Sequence, residues 1–336
     1  MVNSRRSFLK TAAATGTLAA MPVLPASARN GRAPAPEQIV ALFADLPGDM
    51  AFRIFAPAAK DKKRFIAAQN ADKTLFVASA IKTFVLCEAL RQADSPDVDD
   101  ILEQRRLVLD STVWSFGSPT FTQEEISGTV SERTTMEAMV TRSDNTATDM
   151  MFKVAGADNV RALIASAGLT GTLVPDSTRA FTGYLFGAPD YLNLTWERVK
   201  EIVQGPQVHP FLNGVQTLAS SANDLVSYYS RALQGEFFAH AETLTEFRRV
   251  LTLCDFIYLV PLPLGASAYA KSGNADTAGF HARSIAGGML FADQWVYFAF
   301  ILNWYAQNTE DPDTVSRFFA AINASLTMLK AALSKD

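Results

Sequence analysis

The sequence predicts an α/β (α+β) fold: an antiparallel sheet drawn from both chain ends and flanked by helices, with an all-helical lobe inserted between them. Three observations predict it. Strand-like runs occur early, at 50–55 and 64–69, and again late, at 269–272, 283–291 and 296–304. The stretch from about 95 to 217 reads instead as helical segments joined by loops. The chain closes on an amphipathic helix opened by Asp311-Pro312, whose Val315, Phe318, Phe319, Ile322, Leu326, Leu329 and Leu333 share one face.

The first residues are a leader rather than part of the fold. Ser4-Arg5-Arg6-Ser7-Phe8-Leu9-Lys10 is basic and carries paired arginines. An uncharged stretch runs from Thr11 to Leu24, and Ala26-Ser27-Ala28 offers small residues for cleavage. This layout predicts a twin-arginine signal peptide over 1–28 and a periplasmic or secreted mature protein. The uncharged stretch is short for a membrane span, which needs about 20 apolar residues. No later segment is long and apolar enough to span, so none is expected in the mature form. A Pro/Ala/Arg-rich tether follows at 29–36. The α/β lobe is assigned to 37–78 and 218–336, and the helical lobe to 79–217.

Within these lobes, a short amphipathic helix at 37–46 precedes the two early strands, which a charged turn at 60–63 joins. A helix at 79–93 is apolar at Ile81, Val85, Leu86, Ala89 and Leu90. Further helices are expected at 132–139, 147–154, 159–166, 195–203 and 222–233. The acid-rich stretch 94–100 lacks the glycine of a calcium loop and reads as a solvated loop with helix-capping acids.

Removal of the leader takes away Arg5, Arg6 and Lys10 and leaves 27 basic residues against 34 acidic, a formal net charge of −7. That balance argues against nucleic acid or an anionic membrane as a partner. A hydrophobic fraction of 49% suits a globular core. Cys87 and Cys254 are the two cysteines, and both are expected as buried free thiols. No Cys or His spacing suits a metal, and no cofactor is expected.

Three short motifs carry chemistry. In Ser79-Ala80-Ile81-Lys82, Ser and Lys stand at i and i+3 on one helix face. A serine hydroxyl is a poor nucleophile until a base removes its proton. A desolvated lysine beside it can be that base. A serine at a helix start also has free backbone N–H groups for developing negative charge. Ser143-Asp144-Asn145 lies in a loop between helices. A second serine can relay a proton to a leaving nitrogen, Asp144 can hold the loop through backbone N–H groups, and the Asn145 amide can engage a substrate carbonyl and a lysine at once. Lys271-Ser272-Gly273 lies on a strand, where Gly273 permits close approach of a ligand to the backbone and Lys271 and Ser272 suit a carboxylate.

In order and placement, these motifs resemble the class A β-lactamase and penicillin-binding-protein set of serine hydrolases. The resemblance spans nearly the whole mature chain. It implies the β-lactamase/transpeptidase-like version of the fold. It also implies Ser79 as the acylated nucleophile, Lys82 as its activator and Ser143 as proton relay to the leaving group. Asn145 would bind the acyl side chain, and Lys271 and Ser272 the substrate carboxylate. The backbone N–H groups of Ser79 and Asn274 would form the oxyanion hole.

The sequence departs from that family where a deacylating glutamate is expected. Between Thr146 and Gly214 the only glutamates are Glu197 and Glu201, both in the 195–203 helix. Asp190, before Leu192-Asn193, is the acid in the matching context, and its structural alternative is to cap a turn after Pro189. Phe181, Tyr184, Phe186, Tyr191 and Trp196 make the same region aromatic, which suggests the core of an inserted hairpin or a wall of the cleft. Arg283 follows the Lys-Ser-Gly strand and is a candidate carboxylate anchor, and His281 beside it a strand-end cap. The leading expectation is an exported monomeric hydrolase of β-lactam amides working through acyl-Ser79. The alternatives are a D,D-peptidase or esterase on acyl or peptide substrates, and a binding or sensor protein that deacylates slowly.

Overall fold

The computed structural model describes residues 35–59, 62–254, 267–291 and 293–333. The signal peptide, nearly all of the tether and part of the 60–63 turn lie outside them. Helix α1 (Pro36–Ala41) leads into β1 (Asp49–Ala56), β2 (Phe65–Gln69) and a two-residue β3 (Leu75–Phe76). Next come α2 (Lys82–Gln92), α3 (Val98–Gln104), β4 (Arg106–Leu109), β5 (Gly128–Ser131), α4 (Glu132–Thr141), α5 (Asn145–Ala155), α6 (Ala157–Ser166), α7 (Thr178–Leu185) and α8 (Trp196–Ile202). The chain returns through β6 (Ala219–Ser220), α9 (Ala222–Ala232) and α10 (Ala241–Thr252). Three long strands follow, β7 (Ser267–Asp276), β8 (His281–Phe291) and β9 (Gln294–Trp304), and the chain ends on α11 (Pro312–Leu333).

The two chain ends meet in one five-stranded antiparallel sheet of order β2-β1-β9-β8-β7. Strand β9 shows why the sheet is covered on both faces. Its side chains alternate, and nearly all are buried. Phe298, Phe300 and Leu302 join Ile39, Phe43, Phe52 and the α11 residues Phe318, Ile322 and Leu326 in one core. Within it, Phe43 packs on Phe52 at 4.9 Å and on Phe300 at 5.7 Å between ring centroids. Tyr297, Ala299 and Ile301 face the other way, into a larger core shared with α2 and α9. There Tyr228 donates its hydroxyl to the Thr83 carbonyl at 2.8 Å and fastens α9 to α2.

The insert differs from expectation in two respects. It is not all-helical, because β4 and β5 pair as an antiparallel ribbon. Arg106–Leu109 exposes Val108 and buries only Leu109, and 18 residues separate the two strands, so neither alternation nor a tight turn announces them. The aromatic region is no hairpin either: Phe181 and Tyr184 lie on α7, and Trp196 lies on α8, the helix expected at 195–203. Each of these helices starts at a hydroxyl cap, Ser177 accepting from Ala180 N and Thr195 from Arg198 N. The acids of 94–100 do serve helix ends. Asp94 accepts from Ala239 N, His240 N and Thr243 Oγ1 at the start of α10, and Asp99 and Asp100 occupy the first turn of α3.

The junction between sheet and insert is held by side chains that imitate strand pairing. Asn303 of β9 accepts from Phe76 N at 2.9 Å and donates to Phe76 O at 2.8 Å, both buried. Ser284 of β8 donates to Val77 O at 2.7 Å, and Val77 N donates to Leu218 O at 2.8 Å. The backbone N–H and C=O of two consecutive residues, Phe76 and Val77, are thereby fixed just ahead of Ala78 and Ser79. Asn303→Ala strands a buried N–H and a buried C=O, at a cost of about 2–4 kcal/mol. The expected outcome is a thermal midpoint several degrees lower by circular dichroism; an unchanged midpoint would show that the bridge contributes nothing.

Candidate active site

Ser79 sits in a 3₁₀ turn, Ala78–Ile81, that runs into α2 at Lys82. Its neighbours Ala78, Ala80 and Ile81 are buried, whereas Ser79 is half-buried. Ala78 has φ of 48°, a left-handed conformation that costs a non-glycine residue about 1–3 kcal/mol and persists only where its surroundings enforce it. Here the enforcement is the bridged backbone of Phe76 and Val77 immediately before it. The strained residue turns the chain so that the next side chain leaves the core. Gly273 of β7 packs against this turn. A Cβ there would lie 2.1 Å from Val77 O and 2.8 Å from Ser79 N, so only glycine lets the strand approach the Ser79 backbone.

Lys82 is fully buried and points at the 143–145 loop. Its Nζ lies 2.6 Å from Ser143 O, 2.7 Å from Asn145 Oδ1 and 3.3 Å from Ser143 Oγ. Two of these partners only accept, and the third can donate or accept. A neutral amine therefore satisfies this site as well as an ammonium does: two N–H groups go to the carbonyls, and the lone pair faces a hydroxyl. Burial, followed by repulsion from Lys271, holds the Lys82 pKa well below that of an ordinary lysine, against the pull of Asp144 and Asp149. That is the environment of a base.

The Ser143-Asp144-Asn145 loop is built from its middle residue. Asp144 is buried and caps α5 by accepting from Ala147 N at 2.8 Å, while its other oxygen accepts from Thr120 N at 2.9 Å and Phe121 N at 2.8 Å. Capping and loop-holding are thus one role. Ser143 is forced to φ of 55° ahead of it. Its Oγ lies between two lysine nitrogens, Lys82 Nζ at 3.3 Å and Lys271 Nζ at 3.1 Å, a position from which a hydroxyl can pass a proton. Asn145 Oδ1 accepts from Lys82, and one Nδ2 proton goes to Phe116 O at 2.7 Å.

On β7, Lys271 and Ser272 are buried and Asn274 is exposed. Lys271 Nζ also donates to Ser272 O at 3.0 Å. The structure thus gathers Ser79, Lys82, Ser143, Asn145, Lys271 and Gly273 around one point, with Ser272 and Asn274 on the same strand. A shallow groove of about 420 Å³ starts three residues beyond Asn274, walled by Val208, Pro210, Phe280 and Tyr305.

Two further candidates make no hydrogen bond to these groups among the described residues. Arg283 is committed to the protein itself, with Nη2 2.8 Å and Nη1 3.0 Å from the Asp276 carboxylate. The strand register decides this, because Arg283 faces Asn274 while its long side chain reaches Asp276 two residues on. Asp190 is exposed at the N-terminal end of a 3₁₀ turn, Tyr191–Asn193, where its carbonyl accepts from Asn193 N at 2.8 Å. No hydrogen bond among the described residues ties its carboxylate to Ser79, Lys82 or Asn145.

The carboxylate that does adjoin the site is Asp149, which the sequence reading passed over as an ordinary helical residue. It is buried one turn along α5 from Asn145. One oxygen accepts from Thr178 N at 2.6 Å and Thr178 Oγ1 at 2.7 Å; the other accepts from Ser115 Oγ at 2.5 Å and Arg179 N at 3.1 Å. Burial raises its pKa despite these bonds. Arg179 in turn donates to Trp114 O and, at 3.1 Å, to Leu194 O. The pair therefore staples both ends of the 178–194 segment beside the site. The i+4 spacing from Asn145 was the available signal, since it places Asp149 on the same helix face.

Cys87 and Cys254 are both free and buried. Burial pushes the Cys87 thiol up to about 12, far from a reactive thiolate.

A model of the β-lactamase enzyme family matches residues 34–317, and a model of the twin-arginine translocation signal matches residues 2–22. The matched signal agrees with the paired-arginine leader and marks the chain for export. No helix among the described residues is long and apolar enough to cross a membrane. No curated protein matches the sequence. Among solved structures, the chain is similar to a β-lactamase from Chitinophaga pinensis, with TM-score 0.64, 14% identity, and coverage of 88% of this chain and 98% of that one. It is similar to a class A β-lactamase representative from Bacteroides cellulosilyticus, with TM-score 0.64, 17% identity, and coverage of 89% and 97%. It is also similar to a variant of PBP-A solved as an acyl-enzyme with penicillin G, with TM-score 0.65, 18% identity, and coverage of 90% and 96%. At these identities the structures attest the fold, and the sequence match over 34–317 attests the family. The chain belongs to the β-lactamase enzyme family.

Proposed function

We propose that this exported β-lactamase-type serine hydrolase opens β-lactam amides through an acyl-Ser79 intermediate and releases that intermediate slowly. The observation that carries the reading is the buried Lys82 amine, bonded to Ser143 and Asn145 and one helical turn from Ser79. In the proposed reaction, neutral Lys82 takes the Ser79 proton as Oγ attacks the carbonyl carbon. The N–H groups of Ser79 and Asn274 receive the oxyanion. The C–N bond then breaks, and the proton passes from Lys82 through the Ser143 hydroxyl to the departing nitrogen. Lys271 and Ser272 hold the substrate carboxylate, and the second Nδ2 proton of Asn145 holds the acyl side-chain carbonyl.

Slow release rests on the groups around Asn145. The acyl ester needs a base that activates water. The staple residue Asp149 has both oxygens occupied by donors, and Thr178 and Arg179 beside it bring no carboxylate. Asp190 is the single acid between Thr178 and Leu194 and is assigned as the deacylation base, acting from an exposed turn. Slow turnover keeps the sensor reading close, and the similarity to a PBP-A acyl-enzyme with penicillin G favours testing with penicillins.

Three outcomes are expected. Ser79→Ala abolishes the mass increase that a penicillin gives the parent protein in intact-protein mass spectrometry, and labelling at the parental rate would overturn the assignment. Lys82→Ala slows acylation by about 10²–10⁴-fold, the usual contribution of a positioned base. Because the Lys82 pKa is depressed, parental acylation proceeds at neutral pH and falls as the pH drops through that value and the amine gains a proton. A pH-independent acylation rate would remove Lys82 from the base role. Asp190→Asn leaves acylation intact and lengthens the lifetime of the adduct. Deacylation at the parental rate would make Asp190 a turn residue only. In the parent, rapid return to native mass would mark an efficient hydrolase, and a protein that never acylates would point to a D,D-peptidase or esterase acting on another acyl group.

A further inference from the structure

Beyond Asn274 the substrate strand ends in a cluster of charged groups that the reaction does not use. Asp276, the last residue of β7, stands directly opposite His281 of β8, and His281 stands opposite Trp304 of β9. Residues opposite one another in an antiparallel sheet share a face. His281 is fully buried and stacks on the Trp304 ring at 5.0 Å and 20°. Its Nδ1 lies 2.9 Å from Asp276 Oδ1, and its Nε2 lies 3.0 Å from the Asn308 carbonyl.

We infer that His281 is a positioning residue for the substrate strand, carrying a proton on both ring nitrogens and clamping the β7–β8 hairpin to the 305–311 connection. Both partners are acceptors: a carboxylate on one side and a backbone carbonyl on the other. A neutral imidazole has one N–H and one lone pair, so either tautomer sets its lone pair against an oxygen. Only the imidazolium donates on both sides. The charges agree. The groups facing His281 are Asp276 on β7, Arg283 on β8 and Asp311 beyond β9, whose carboxylate accepts from Trp304 Nε1 at 3.0 Å and feels the His281 charge. Two anions and one arginine are balanced by a second cation. The clamp has a mechanical consequence, because Asp276 follows Asn274 by two residues. The hairpin tip also meets the same connection through Gly279 N, which donates to Ala306 O at 2.9 Å, and through the Phe280 ring, 5.6 Å from that of Tyr305. Loss of the His281 proton removes one of its two hydrogen bonds, breaks the clamp and loosens the end of the strand that carries Asn274.

The link to substrate rests on the proposed use of β7, whereas the clamp itself does not, and the test separates them. The chain has three histidines, so ring ¹⁵N signals of the uniformly labelled full-length protein are assignable by comparison with His281→Gln. At neutral pH both His281 nitrogens should resonate as protonated imidazolium. One protonated and one bare nitrogen at that pH would overturn the inference, and this measurement on the parent protein needs no functioning variant. In penicillin acylation, the substrate concentration for half-maximal rate should rise about three- to tenfold as the His281 signal titrates, with the maximal rate held. His281→Gln should show the raised value at all pH, without the step. A variant with the parental value and the parental step would reduce His281 to packing. If no acylation occurs at all, the substrate reading fails and the nitrogen signals alone decide the clamp.

Discussion

The site depends on one buried amine. Lys82 is placed in the core at the start of α2, where its charge is costly, and is then given acceptors from a different part of the chain. An uncompensated buried ammonium is unstable in a medium of low polarity, so this position favours deprotonation. The Ser143 carbonyl and the Asn145 amide supply what a neutral amine needs. They can do so only because Asp144 caps α5 and ties down the 120–121 backbone at the same time. The left-handed Ser143 is the geometric cost of turning both a carbonyl and a hydroxyl toward one nitrogen.

A second constraint is the presentation of the nucleophile. The Ser79 segment is held from the sheet by Asn303 and Ser284, side chains on β9 and β8 that bond to the backbone of Phe76 and Val77. This bracing is what allows Ala78 to remain left-handed and Gly273 to pack against the turn. Sheet and helical insert are therefore not independent supports: Ser79, the proposed nucleophile, leaves the sheet side and Lys82, its proposed base, leaves the insert side of the same short turn. The staple made by Asp149 and Arg179 adds a third support, which fixes the 178–194 segment at Thr178 and Leu194. Its carboxylate accepts four donors, which rules it out as a water-activating base and defines it as a strut.

Much of this was legible in the sequence because it is local. Apolar runs mark β1, β8 and β9, strands covered on both faces, and the 3–4 spacing of α11 marks its buried face. Ser79 and Lys82 are legible as a pair because i and i+3 share a helix face, and Asp144 because capping residues act within a few positions of themselves. The paired-arginine leader and the buried state of Cys87 and Cys254 are local readings of the same kind.

What only the tertiary structure decided depends on residues far apart in the chain. Sequence pattern alone did not reveal the β4–β5 ribbon, whose strands are exposed and separated by a long loop, or the helix at 178–185, where the hydroxyl cap at Ser177 outweighs the hairpin impression left by the aromatic residues; the helix expected at 195–203 is present as α8. It offered Arg283 as a carboxylate anchor for substrate, whereas strand register delivers it to the Asp276 carboxylate. It singled out Asp190 by its neighbours, whereas the carboxylate packed beside Asn145 is Asp149, whose four donors come from 29 to 34 residues away. Side-chain type and spacing determine which groups can act. Which groups meet is set by register and by the docking of α7 on α5, and those are fixed by burial of surfaces that no short window of sequence contains.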